Sequence, residues 1–178
     1  MTMILTQNYL HECFDYDPRT GYLVWKHRPL RHFKDTRSYK IWNTRFARVT
    51  AGAQVPRGHF QLGLNGVLYK VHRIIWKYVH GTEPLQIDHI DGNPSNNKIE
   101  NLRPATNTQN NQNKKLTKLN KTGFKGVSFS KKYKVYIAQI KISGKNKHLG
   151  SRSTPEAAYQ LYCAKAAELH GEFVNYGT

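Results

Sequence analysis

Residues 87–113 read IDHIDGNPSNNKIENLRPATNTQNNQN, and the rest of the chain is best understood outward from them. The β-prone run LQIDH gives way to a turn-rich loop holding Asp91, Gly92 and Pro94. ENLRPAT then reads as a second short strand, with Thr106 or Asn107 placed to cap a helix rich in amides. The expected order is strand, loop, strand, helix. Asp88 and His89 are neighbours, and neighbours on a strand point to opposite faces. They can serve one site only if the strand ends or twists there.

These residue types suggest a chemistry. His89 is the candidate general base, because an imidazole titrates near neutrality. Asp88 offers carboxylate oxygen to a hard cation, and Asn110 offers an amide carbonyl without adding charge. Such an all-oxygen, largely hydrated site suits one Mg²⁺ or Mn²⁺ rather than Zn²⁺. Asn101 reads as a brace that cross-links the loop and so orients His89. Asn97 and Asn113 are held in reserve for the same roles.

Charge points to the partner. The 178 residues carry 28 Lys+Arg against 11 Asp+Glu, a formal +17. Self-repulsion of that size opposes compaction and is relieved by a polyanion. Between Asn101 and Pro155 there is no acidic residue against thirteen Lys or Arg. Cys13 and Cys163 lie far apart and form no C-x-x-C pair, so neither a zinc ribbon nor a disulfide framework is expected, and no structural zinc. With no signal-peptide pattern and no membrane-length apolar run, a soluble cytoplasmic protein is expected.

The flanking segments fill in the architecture. Residues 7–14 suggest a turn or two of helix, and DYDPRTGYLVWK a hairpin. Residues 27–46 are basic and aromatic without clear periodicity. They read either as a loop tracking a nucleic-acid backbone or as one pinned to the core by Trp42 and Phe46. HFQLGL and VLYKV flank Asn65-Gly66, a primed-turn dipeptide. HRIIWKYVHG (72–81) has helical spacing and ends at Gly81. His72 opens that helix and reads as a satisfied structural histidine, with a phosphate contact or a site residue as the alternative. Residues 113–121 read as a basic linker. FKGVSFS, KVYIAQIKI and KHLGSR read as three strands with a Ser143-Gly144 turn, followed by an alanine-rich helix from Pro155 to Gly171, capped by Ser153 or Thr154. The sheet face away from this helix is expected to carry Lys125, Tyr136, Lys141 and His148 or their neighbours.

Residues 71–114 closely resemble the HNH endonucleases, particularly the phage and intron homing branch with a ββα-metal fold, and the N-terminal hairpins do so more weakly. The resemblance implies a general base at His89, a bracing asparagine at Asn101 and one divalent ion held by Asp88 and Asn110. It also implies products with 5′-phosphate and 3′-hydroxyl ends. Asn110 stands where many members have histidine. Residues 122–175 resemble the Apetala-2/ethylene-response-factor DNA-binding domain, through FKGV, YIAQI, HLG and the helix ending ELHGEF. That likeness implies a three-stranded sheet reading the major groove. Lysine at 125 and tyrosine at 136 replace the arginine and tryptophan frequent there, so base specificity should be softer.

The sequence therefore leads to an α+β protein with an HNH nuclease domain at 1–112, a linker at 113–121 and a DNA-binding domain at 122–178. The expected function is a monomeric, metal-dependent, nicking endonuclease acting on double-stranded DNA, with no membrane or small-molecule partner. Expected DNA contacts are Arg73, Lys114, Lys115, Lys118, Lys125, Tyr136, Lys141, Lys147, His148 and Arg152. The competing readings are a DNA-binding regulator with an inert nuclease motif and, behind it, an RNA-binding protein.

Overall fold

The computed structural model describes residues 5–142 and 144–177. The chain divides into two compact units, Met1–Ala105 and Thr106–Thr178. Helix α4 (Asn107–Gln112) therefore groups with the C-terminal unit, ahead of the boundary expected at 112. Residues 113–121 carry turns but neither helix nor strand.

In the N-terminal unit, α1 (Gln7–Cys13) is capped by Thr6, whose hydroxyl accepts from Tyr9 N–H. Strands β1 (Phe14–Asp17) and β2 (Tyr22–Trp25) form the first hairpin. Strands β3 (Ala53–Gln54), β4 (Phe60–Leu64) and β5 (Val67–Lys70) form a second, three-stranded sheet. Its tight turn is Asn65-Gly66, both at positive φ (52° and 78°), the backbone a primed turn requires. Helix α3 (Val71–His80) stops at Gly81 in the left-handed region. Val71, Ile74 and Ile75 of α3 are buried with Leu10, Phe14, Leu23, Leu64, Ile87 and Leu102 in one core. Strands β6 (Gln86–His89) and β7 (Leu102–Ala105) close the unit as an antiparallel pair.

Residues 27–46 are not one long loop, because Thr36–Phe46 form helix α2 with Asp35 as its cap. Trp42 and Phe46 do pack against the core, as the second of the two readings has it. Tyr39, Trp42, Asn43 and Phe46 follow helical spacing, and the polar Asn43 disguised the stripe. Asn43 is buried and exchanges two hydrogen bonds with the backbone of Arg28, at 2.9 and 3.0 Å. The Arg28 guanidinium lies buried among Tyr9, Trp25, Phe33 and Trp42.

In the C-terminal unit, β8 (Val127–Ser130), β9 (Val135–Ile142) and β10 (Lys145–Arg152) form an antiparallel sheet in the order β10-β9-β8. Ser143 of the expected Ser143-Gly144 turn lies outside the described residues. Helix α5 (Pro155–His170) is capped by Thr154 and packs on this sheet through Ala158, Tyr162 and Ala166. Small side chains let it approach closely. Gly126 marks the tightest point: its φ is +75°, and a Cβ there would overlap the Tyr162 ring.

Candidate active site

The β6–β7 pair sets the site. Strand β6 ends at His89, so the side chains of Asp88 and His89 part company at the start of the loop. Asp88 pairs across the strands with Arg103, in register. Arg103 Nε and Nη2 both donate to Asp88 Oδ2, at 2.9 and 2.8 Å, and the carboxylate is nearly fully buried. Sequence reading missed this partner, although opposite charges at cross-strand positions are its signal.

His89 turns to other neighbours. Its Nε2 lies 3.1 Å from Asn97 Oδ1, and Asn97 is itself 2% exposed. An amide oxygen only accepts, so Nε2 carries the hydrogen and the lone pair sits on Nδ1. The residue on the ring is thus Asn97, while Asn101 acts on the loop. Asn101 Oδ1 accepts from Asp91 N–H, and its Nδ2 donates to Asp91 Oδ1 and to the Asn96 carbonyl. Asp91 also accepts from Asn93 N–H and Asn96 Nδ2. The N-terminal hairpins hold the same loop from outside. Tyr16 Oη donates to the Asn97 carbonyl and accepts from Ile99 N–H. Ser95 Oγ donates to the Gly58 carbonyl and accepts from Gln54 Nε2. These distant elements were not legible as part of the site.

Burial holds His89 below its ordinary imidazole value, against the upward pull of the Asn97 hydrogen bond and the Asp91 and Asp88 charges. It is therefore neutral at pH 7, the form a base requires. Its ring packs edge-on against His72 and tilted against His59, at centroid separations of 5.0 and 5.8 Å. His72 is driven down to about 3 by burial, then by the neighbouring imidazoles and cations. It is not the satisfied structural histidine expected, since its buried Nδ1 has no hydrogen-bond partner.

The remaining predicted residues separate into exposed and engaged groups. Asn110 lies on α4, behind the capping box of Thr106 and Gln109. Lys114, Lys115 and Lys118 are exposed. Arg73 braces the turn after α3, donating to Glu83 Oε1 and to the carbonyls of Pro84 and Leu85. Lys125 is not on the open sheet face: its Nζ donates to the carbonyls of Gln112, Lys114 and Asn175, which uses all three N–H bonds. Burial lowers its pKa to about 8.

Tyr136 is also corrected. It has the same strand parity as Ala138 and Ile140 and packs on the helix-side cluster. Arg152 and Lys147 are opposite Tyr136 and Ile140 in register and share that parity, while remaining exposed. The face away from α5 carries Lys141 and His148, joined by Ser128, Gln139 and Asn146, which sequence reading did not name.

Comparison with known proteins matches the motif. An HNH endonuclease family profile matches residues 69–112. Protein 3.8 of Escherichia phage T7 is 36% identical over 107 residues, covering 59% of this chain and 88% of the relative. An uncharacterized HNH endonuclease, L560, of Acanthamoeba polyphaga mimivirus is 38% identical over 107 residues; the chain spans about half of it (54%). No solved structure matches. No helix among the described residues is long and apolar enough to cross a membrane. HNH nucleases act on DNA and generally use a divalent metal. With its motif inside the matched profile and a phage relative covered over most of its length, the chain belongs to the HNH endonuclease family.

Proposed function

We propose that this protein is a metal-dependent, site-specific DNA endonuclease of the homing type that nicks one strand per encounter. The observation that carries the proposal is the state of His89: neutral, at a strand end, with Asn97 on Nε2 and the lone pair on Nδ1. His89 takes the proton from the attacking water, and Asn97 holds the ring and its tautomer through that step. Asn101 keeps the loop, and so the ring, from moving. A divalent ion, when bound, stabilises charge on the scissile phosphate and the leaving 3′ oxygen.

The donor set suggested by sequence, the Asp88 carboxylate and the Asn110 amide, is hard oxygen and fits Mg²⁺ or Mn²⁺. Arg103 donates twice to Asp88 Oδ2, so an ion held by this carboxylate would share it with a guanidinium. DNA is held by the exposed lysines of 114–118 and read by the Apetala-2-like sheet through Lys141 and His148, the protein acting as a monomer. The Arg103–Asp88 pair also supports a second reading, a DNA-binding regulator with an inert motif.

Supercoiled phage or host DNA incubated with Mg²⁺ or Mn²⁺ separates the two. Nicked circles that vanish with EDTA and with His89→Ala are expected. Shifted but uncut DNA in every metal would establish the regulator instead.

A further inference from the structure

Three histidines from three separate elements converge beside the β6–β7 loop. His59 lies just before β4, His72 in the first turn of α3 and His89 at the end of β6. One ring nitrogen of each lies within 4.8 Å of the other two. His72 is 5% exposed, and the buried Nδ1 atoms of His72 and His59 have no hydrogen-bond partner. A buried polar atom left unpaired is costly, and native structures rarely tolerate such atoms without a use. Simple ring packing explains the contact but not the two orphaned nitrogens.

We propose that His59, His72 and His89 form a binding site for a borderline divalent ion such as Zn²⁺, and that its occupancy withdraws His89 from service as the base. Imidazole nitrogens prefer Zn²⁺, Ni²⁺ or Co²⁺ to Mg²⁺. This separates the site from the oxygen donors at Asp88 and Asn110. Tetrahedral coordination at about 2.0–2.1 Å places ligand nitrogens about 3.4 Å apart, so any side of the triangle longer than that, up to the 4.8 Å bound, must close. His59, only partly buried, is the member free to move. The outer support is in place already: a metal-bound histidine commonly donates its other N–H to a carbonyl or carboxylate, as His89 Nε2 does to Asn97 Oδ1. Such a site escapes a search for paired cysteines. It is inhibitory rather than structural.

The inhibitory half rests on the nuclease reading, whereas the binding half does not. The test titrates Co²⁺ into EDTA-stripped full-length protein, followed by visible d–d absorption, and Zn²⁺ by calorimetry. One equivalent with four-coordinate Co²⁺ bands is expected, with affinity at least tenfold weaker in His59→Ala and in His72→Ala. His59→Ala changes a partly exposed position, so loss of binding there cannot be ascribed to misfolding if its thermal melt matches wild type. Absence of binding, or binding unchanged in both variants, overturns the site. In parallel, Zn²⁺ added at saturation to a Mg²⁺-supported cleavage reaction should abolish nicking in wild type and spare His59→Ala. Triad binding of Zn²⁺ with undiminished cleavage would overturn the coupling to His89. Absence of cleavage in Mg²⁺ alone would count against the nuclease reading and leave the absorption result standing.

Discussion

Asp88, His89, Asn97 and Asn101 are each less than a tenth exposed, whereas Lys114, Lys115, Lys118, Lys141 and His148 stand in solvent. In the N-terminal unit the motif side chains of the candidate site have named neighbours: Arg103 on Asp88, Asn97 on His89, Asp91 on Asn101. Groups held this way are preorganised, and they act at short range. In the C-terminal unit these charges are exposed, an arrangement that acts over a Debye length and is weakened by salt. On the proposed reading, chemistry belongs to the first unit and DNA capture to the second. The contrast also predicts that substitutions in the two will fail in different ways.

The largest stability effect should come from separating the buried ion pair. Asp88→Ala leaves Arg103 uncompensated and should cost about 3–5 kcal/mol, read from the urea midpoint. Adding Arg103→Met should recover most of that loss. If the double variant is no more stable than the single one, the pair is not what makes Asp88 costly to replace.

Two lysines of the C-terminal unit sharpen the comparison from the other side. Lys125→Met orphans three backbone carbonyls and should destabilise the protein by about 1–3 kcal/mol, with little change in the salt dependence of DNA binding. Lys141→Ala with His148→Ala should leave the melting temperature in place. It should lower the salt slope of DNA binding by about 1 for each phosphate that is no longer neutralised. A Lys125 variant that behaves like the Lys141 variant would return Lys125 to the DNA-facing surface.

The smallest expected effect is a shift in pH dependence. His89 has a lowered pKa, so it keeps its lone pair throughout the neutral range. Activity should fall only as pH drops through that lowered value, placing the acid limb of kcat/KM below about 6.5, the ordinary imidazole value. Asn97→Asp puts a carboxylate on Nε2, favours imidazolium and should move the limb upward. A limb that does not respond to Asn97→Asp would remove Asn97 from the control of His89.

Much of the site was legible because HNH chemistry is concentrated in one local stretch. Asp88, His89 and Asn101 lie within fourteen residues, and turn chemistry marks the loop between them. What supports them was not legible. Asn97 stood only in reserve, beside Asn113, and Tyr16, Gly58, His59 and His72 reach the site only through tertiary packing. Helix α2 was missed because Asn43, polar by type, is buried by two hydrogen bonds to Arg28. Tyr136 was assigned to the wrong face for a simpler reason: a strand alternates with period two, and one residue of phase exchanges its faces.

Single-turnover cleavage and DNA affinity, measured together for His89→Ala, bear most directly on the division between the two units. Loss of the base should slow cleavage by about 10²–10⁴-fold while the dissociation constant stays within about twofold of wild type. A variant that cleaves at the wild-type rate would contradict the assignment of His89 and, with it, the placement of the chemistry at the end of β6.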